Sequence, residues 1–85
     1  MIEGTLHIRM LGKTYSVSLG ESQPGGGAVG DVKLESLKEL RQHLRRQRIR
    51  EELVEGRWLS KEEKIGKALR DLSQKGTSDI SGVTV

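Results

Sequence analysis

Thr5-Leu6-His7-Ile8-Arg9-Met10-Leu11 and Thr14-Tyr15-Ser16-Val17-Ser18-Leu19 alternate apolar and polar residues with period two, and Gly12-Lys13 joins them. That period is the signature of half-buried strands. Glycine at the first of two turn positions suits a type II′ hairpin, which needs positive φ there. The register follows from the turn. Met10 opposes Tyr15, Ile8 opposes Val17 and Leu6 opposes Leu19 on one face. Leu11 opposes Thr14, Arg9 opposes Ser16 and His7 opposes Ser18 on the other. A slip of one residue would carry every apolar side chain to the wrong face. The chain therefore opens with a β-hairpin that has a core face and a wet face.

Outward from the hairpin, Gly20 to Gly30 contains five further glycines and Pro24. This composition predicts a flexible loop over 20–30. A helical half is expected over 31–76. Leu34, Leu37, Leu40 and Leu44 make an apolar stripe at helical spacing. The phase then shifts, because Ile49 and Leu53 fall opposite that stripe on a straight helix. The helix either bends near Arg45–Arg48 or turns its second half to another surface. Gly56 ends the segment, and Trp58 is expected to plug the corner that follows. Ser60-Lys61-Glu62-Glu63 has the pattern of a capping box and opens a second helix. Ile65, Ala68, Leu69 and Leu72 give it one apolar stripe, and Gly76 is placed to terminate it. Glu63 with Lys67 and Asp71 with Lys75 are spaced for pairing on its outer side. Ile80–Val85 is β-prone and is expected to return as a third strand beside the hairpin, the alternative being a frayed tail. The expected fold is α+β, in the order β-β-α-α-β, as a single small domain over 1–85.

Composition limits what holds this domain together. The chain has 85 residues, no Phe, one Trp, one Tyr and no Cys. Its core must be aliphatic, and neither disulfides nor thiolate metal sites are available to it. Small domains short of core often oligomerise, so a homodimer is expected. His7 and His43 are too far apart in sequence to suggest a metal site, and no cofactor is implied. No apolar run reaches the ~18 residues of a membrane span, and no secretory leader is evident. A cytoplasmic location is expected.

The charge is unevenly distributed. Arg41, Arg45, Arg46, Arg48 and Arg50 fall within ten residues that contain no acid. Outside that run the chain is net acidic, with ten Lys and Arg against 12 Asp and Glu. On a helix, Lys38, Arg41, Arg45 and Arg48 form a stripe, with Arg46 and Arg50 pointing elsewhere. Arginines at this density grip phosphates and release counterions. Glu39, Glu51, Glu52 and Glu55 are close enough in sequence to neutralise them instead. The expected function is a non-enzymatic regulatory or accessory protein that binds nucleic acid through these five arginines. Duplex is favoured over single strands because aromatics are scarce. The competing partner is an acidic protein surface.

Motifs for other chemistry are incomplete. Gly25-Gly26-Gly27-Ala28-Val29-Gly30 has the spacing of a dinucleotide loop, but Ser22-Gln23-Pro24 separates it from the preceding strand. Gly12-Lys13-Thr14 lacks the earlier glycine of a phosphate-binding loop, since His7 stands there. Glu51 and Glu55 share a helix face without a further ligand. His7, Ser16 and Ser18 share a strand face, but no third group is placed to orient the imidazole, so no catalytic residue is assigned.

Overall fold

A computed structural model describes residues 3–21 and 28–84. The opening hairpin consists of β1 (Glu3–Leu11) and β2 (Thr14–Glu21). Its register is the one the alternation dictates, from Leu6 opposite Leu19 to Leu11 opposite Thr14. Gly12 at the turn has φ +62°. The C-terminal segment returns as β7 (Thr77–Thr84) and pairs antiparallel with the other edge of β1. The fold is α+β, with the N-terminal hairpin, two helices and a C-terminal strand in their expected places.

Four further strands interrupt the stretch 31–76, which is therefore not uniformly helical. The first is β3 (Ala28–Leu34), which pairs antiparallel with β2. Of the glycine-rich stretch 20–30, the first two residues end β2 and the last three begin β3, while 22–27 lie outside the described residues. Asp31-Val32-Lys33-Leu34 alternates like a strand, and its leucine merely coincides with a helical stripe. The helix α1 runs over Leu37–Arg46, with the Ser36 hydroxyl accepting from the Glu39 amide at its start. It ends because Gln47 turns extended, and Arg48–Ile49 then forms β4 on the far edge of β7. The phase shift at Ile49 is thus neither a bend nor a second helical face. The backbone leaves the helix there, and Ile49 is buried as a strand residue.

Glu52–Val54 (β5) and Arg57–Leu59 (β6) form a separate two-stranded hairpin. Glu55 and Gly56 at its turn both have positive φ, +52° and +79°, as a type I′ turn requires. Gly56 thus closes a hairpin and does not end a helix. Helix α2 (Lys61–Lys75) carries the capping box formed by Ser60 and Glu63, and stops at left-handed Gly76. Glu63 pairs with Arg57 of β6, where the helical spacing had suggested Lys67.

The main sheet has the order β3-β2-β1-β7-β4. Leu6, Ile8, Val17, Ile80 and Val83 line its inner face. Leu40 and Leu44 of α1, both fully buried, cover them together with Ile65, Ala68 and Leu72 of α2. One irregularity keeps this set together. Leu6 opposes Ile80 but Gly4 opposes Val83, so β7 carries an extra residue between them. Gly82 absorbs it at φ +73°, which returns Val83 to the core side. The Gly82 carbonyl then accepts from the Arg50 amide at 2.9 Å, anchoring the end of β4.

Ser78 faces this apolar interior opposite Ile8. Its hydroxyl is buried without a hydrogen-bond partner among the described residues. A buried donor without a partner costs about 1–3 kcal/mol. Ser78→Ala should therefore raise the unfolding free energy by about 1 kcal/mol, read as a higher urea midpoint at unchanged slope. A lower midpoint would show that the hydroxyl is satisfied in solution.

Candidate nucleic-acid interface

The arginine run is built from two local geometries. Arg41 and Arg45 lie one turn apart on α1 and are exposed, beside inward-facing Leu40 and Leu44. Arg46 completes the helix, whose last turn also holds His43 and Arg45, where cations meet the negative end of the helix dipole. Arg48 and Arg50 belong to extended backbone. They flank buried Ile49 and are therefore directed outward by strand alternation. The single helical stripe expected to include Arg48 does not form. The core requirements of Leu40, Leu44 and Ile49 nevertheless leave all five arginines exposed.

The glutamates nearest in sequence do not neutralise them. Glu39 accepts from the Glu35 amide at 2.9 Å, and Glu52 accepts from the Ser81 hydroxyl at 3.2 Å. Two arginines find acids elsewhere. Arg45 Nε lies 3.7 Å from Glu62 at the start of α2, and Arg50 lies 3.1 Å from Glu3 on β1. Exposed pairs of this kind contribute about 0–1 kcal/mol and exchange readily with other anions. Arg41, Arg46 and Arg48 have no ion pair among the described residues. Arg70 of α2 joins Arg41 and Arg45 along a shallow groove between the two helices, with Glu62 as its acidic element.

Trp58 is where sequence reasoning went astray. It does not plug a corner: 63% of it is exposed. It stands opposite Leu53 on the outer face of the small hairpin, and Leu53 is 55% exposed. Val54 and Leu59, on the inner face, are half-buried and line a groove with Lys64 and Ala68 of α2. Arg50, Glu51 and Glu52 border the same shallow concavity as Leu53 and Trp58. The Lys61 ammonium, three residues beyond Trp58, donates to the Arg45 carbonyl. That bond draws the end of the small hairpin against the end of α1. Of the five arginines, Arg50 is the one that shares this concavity with the exposed indole. The clue in the sequence was Val54-Glu55-Gly56-Arg57-Trp58, in which β-prone residues lie on either side of a turn dipeptide.

The groups considered for catalysis lie apart from this surface. His7 opposes Ser18 on one side and Asp79 on the other. Its Nδ1–H donates to Asp79 Oδ1 at 2.7 Å, so Asp79 is the orienting group that the sequence did not reveal. The ring passes over Gly20, where an added Cβ would lie 2.9 Å from Nε2. No bond joins Ser18 to the imidazole among the described residues, and both His7 and Asp79 are exposed on the open sheet face. Among the described residues no three His, Asp or Glu side chains converge as a metal site, and no helix is long and apolar enough to cross a membrane.

Two titrating groups border the interface. Partial burial, with the Arg46 charge as a smaller cause, holds His43 below its ordinary value of 6.5. The hydrogen bond from Arg57 is the main cause of a lowered Glu63 pKa. In both cases the unfolded chain takes up a proton at higher pH than the folded one does. Each contribution to stability is therefore complete above the unfolded pKa and lost as pH falls through the folded pKa. Urea midpoints should decline in two stages, beginning below about 6.5 and below about 4.3. His43→Gln should flatten the upper stage, and Arg57→Gln the lower one.

Comparisons with protein-family models, with curated proteins and with solved structures find no significant match, so the reading of this surface rests on its own chemistry.

Proposed function

We propose that this chain is a small non-enzymatic accessory protein that binds nucleic acid, with Arg41, Arg45, Arg46, Arg48 and Arg50 gripping phosphates. The observation that carries this reading is a set of five exposed arginines within ten residues, three of them without an ion pair among the described residues, with Arg50 bordering the same concavity as the exposed Trp58. Guanidinium groups bind phosphate oxygens bidentately and displace condensed counterions. Neither surface ion pair costs much to exchange for a phosphate.

The exposed indole changes the form of nucleic acid that fits best. On sequence alone duplex is favoured, because the chain has one Trp, one Tyr and no Phe on which bases could stack. With Trp58 open beside Arg50, a single strand is the better ligand, because an unstacked base lies on the indole while the arginines follow the backbone. Glu51 and Glu52 at the rim of the concavity disfavour a phosphate there, which suits a base at Trp58 and phosphates along Arg41–Arg48. An acidic protein surface would share the salt dependence but would gain nothing from a stacked base.

Fluorescence anisotropy with labelled oligonucleotides across a salt series tests the proposal. A single strand should bind more tightly than a duplex of the same length, with quenching of Trp58 emission. Replacing Arg46 and Arg48 with Glu should reduce the salt slope by about 0.7 for each phosphate no longer neutralised. Trp58→Ala should weaken single-strand binding by about 1–3 kcal/mol and leave the salt slope unchanged. Absence of binding to either form at low salt would overturn the assignment.

A further inference from the structure

The edge of the main sheet opposite β4 carries a second surface. Among the described residues strand β3 has a partner, β2, on one side only. The backbone groups along its outer edge are open to another strand. Natural edges are blunted by proline, a bulge, a very short strand or edge charges, lysine above all, and here Asp31 and Lys33 would repel every partner strand that does not set opposite charges against them. The segment Asp31–Leu34 has no proline and pairs regularly with Tyr15–Ser18, the one irregularity lying beyond Asp31. Next to this edge the inner face of the sheet is poorly covered. Val32 opposes fully buried Val17, yet it is 42% exposed. Leu37 at the start of α1 is 44% exposed, and Met10 is exposed nearby in a shallow apolar hollow shared with Tyr15, Leu37, Leu69 and Leu72.

From these features we infer that the chain forms a two-fold homodimer in which β3 pairs antiparallel with β3 of a second copy. The charges on the edge select both the partner and the register. Asp31 and Lys33 lie on the open face, on either side of Val32, and neither has an ion pair among the described residues. An antiparallel pair of identical strands centred on Val32 sets Val32 against Val32. It also sets each Asp31 against the other copy's Lys33, forming two cross-strand ion pairs. Sliding one copy by two residues places either Asp31 against Asp31 or Lys33 against Lys33. Sliding by one residue puts the helices of the two copies on opposite faces of the sheet, separating the apolar surfaces at Val32 and Leu37. The register centred on Val32 is thus the one that joins opposite charges and unites the apolar strips. Opposed charges across strands stabilise and like charges destabilise, each by roughly 0.2–1 kcal/mol. The result is a continuous sheet of ten strands, built from five in each copy, with β4 at each outer end.

Sedimentation equilibrium of the full chain at moderate salt, over a concentration series, tests this. The mass should rise from that of a 9.4 kDa monomer to twice that value. Asp31→Lys and Lys33→Asp should each weaken the dimer about tenfold or more, since each makes two like-charged pairs in the register described. Circular dichroism should confirm that both variants fold, because both positions are exposed. The double variant D31K/K33D should recover the wild-type dimer. Equimolar mixing of the two single variants should also produce a dimer, since each then meets its opposite charge. A wild-type chain that stays monomeric at millimolar concentration would overturn the inference. So would single variants that dimerise like the wild type, or a double variant and a mixture that both stay monomeric.

Discussion

The register of β1 with both of its neighbours is the constraint on which the rest depends. β1 lies between β2 and β7, and its inward residues Leu6 and Ile8 meet Leu19 and Val17 on one side and Ile80 and Ser78 on the other. Two glycines hold these alignments. Gly12 makes the turn that fixes β1 against β2, and Gly82 absorbs the extra residue that would otherwise point Val83 outward. Once they are set, the sheet presents a continuous aliphatic patch. Leu40, Leu44, Ile65, Ala68 and Leu72 then have a surface to cover. Each fully buried aliphatic side chain of this kind gains about 1.5–3 kcal/mol. No aromatic residue belongs to the fully buried set. Losing the alignment would therefore remove several of these gains together, with no large ring to compensate.

The parts legible in sequence are those whose cause is local. The hairpin register follows from Gly12 and alternation alone, and α2 from Ser60, Glu63 and Gly76 at its ends. The parts that were missed depend on partners distant in sequence. Nothing between Leu44 and Ile49 breaks a helix, since arginine and glutamine are good helix formers. The helix ends because Ile49 gains burial beside Val83, 34 residues away, and because the Gly82 bulge frees a carbonyl for Arg50. β3 was hidden for a related reason. Leu34 lies three residues before Leu37, so a strand residue completed the leucine stripe of a helix. The five arginines could be singled out from sequence because charge segregation is a local property. Their division between helix and strand could not, because β7 decides it.

That division determines what the surface is able to do. A helix places Arg41 and Arg45 one turn apart, and an extended strand places Arg48 and Arg50 two residues apart, so the run changes spacing along its length. Arg41 and Arg45 thus belong to the helix surface, while Arg48 and Arg50 take the side of the edge strand away from buried Ile49. The nearby acids divide between two roles: Glu62 and Glu3 pair with Arg45 and Arg50, while Glu39 holds the start of α1, Glu52 takes the Ser81 hydroxyl, and Glu63 is bound to Arg57 and the α2 cap. The net charge of the whole chain is only +3. The local charge at the run exceeds what that figure implies, because five of the 15 cationic side chains fall within ten residues that contain no acid.

Trp58 is more exposed than any other large apolar side chain among the described residues. A tryptophan offers more apolar area than any residue in this core, and a domain of this size has little core to spare. The fold nevertheless directs Val54 and Leu59 inward and leaves Trp58 and Leu53 facing solvent. A register shifted by one residue would reverse that choice, so the exposure comes from the Glu55-Gly56 turn and not from want of space. The turn itself carries a cost, since Glu55 adopts a left-handed conformation that non-glycine residues rarely take. A strained turn here directs a large ring outward, into a concavity bordered by Arg50. On the proposed reading, a ligand meets a flat apolar ring and a cation side by side at this concavity.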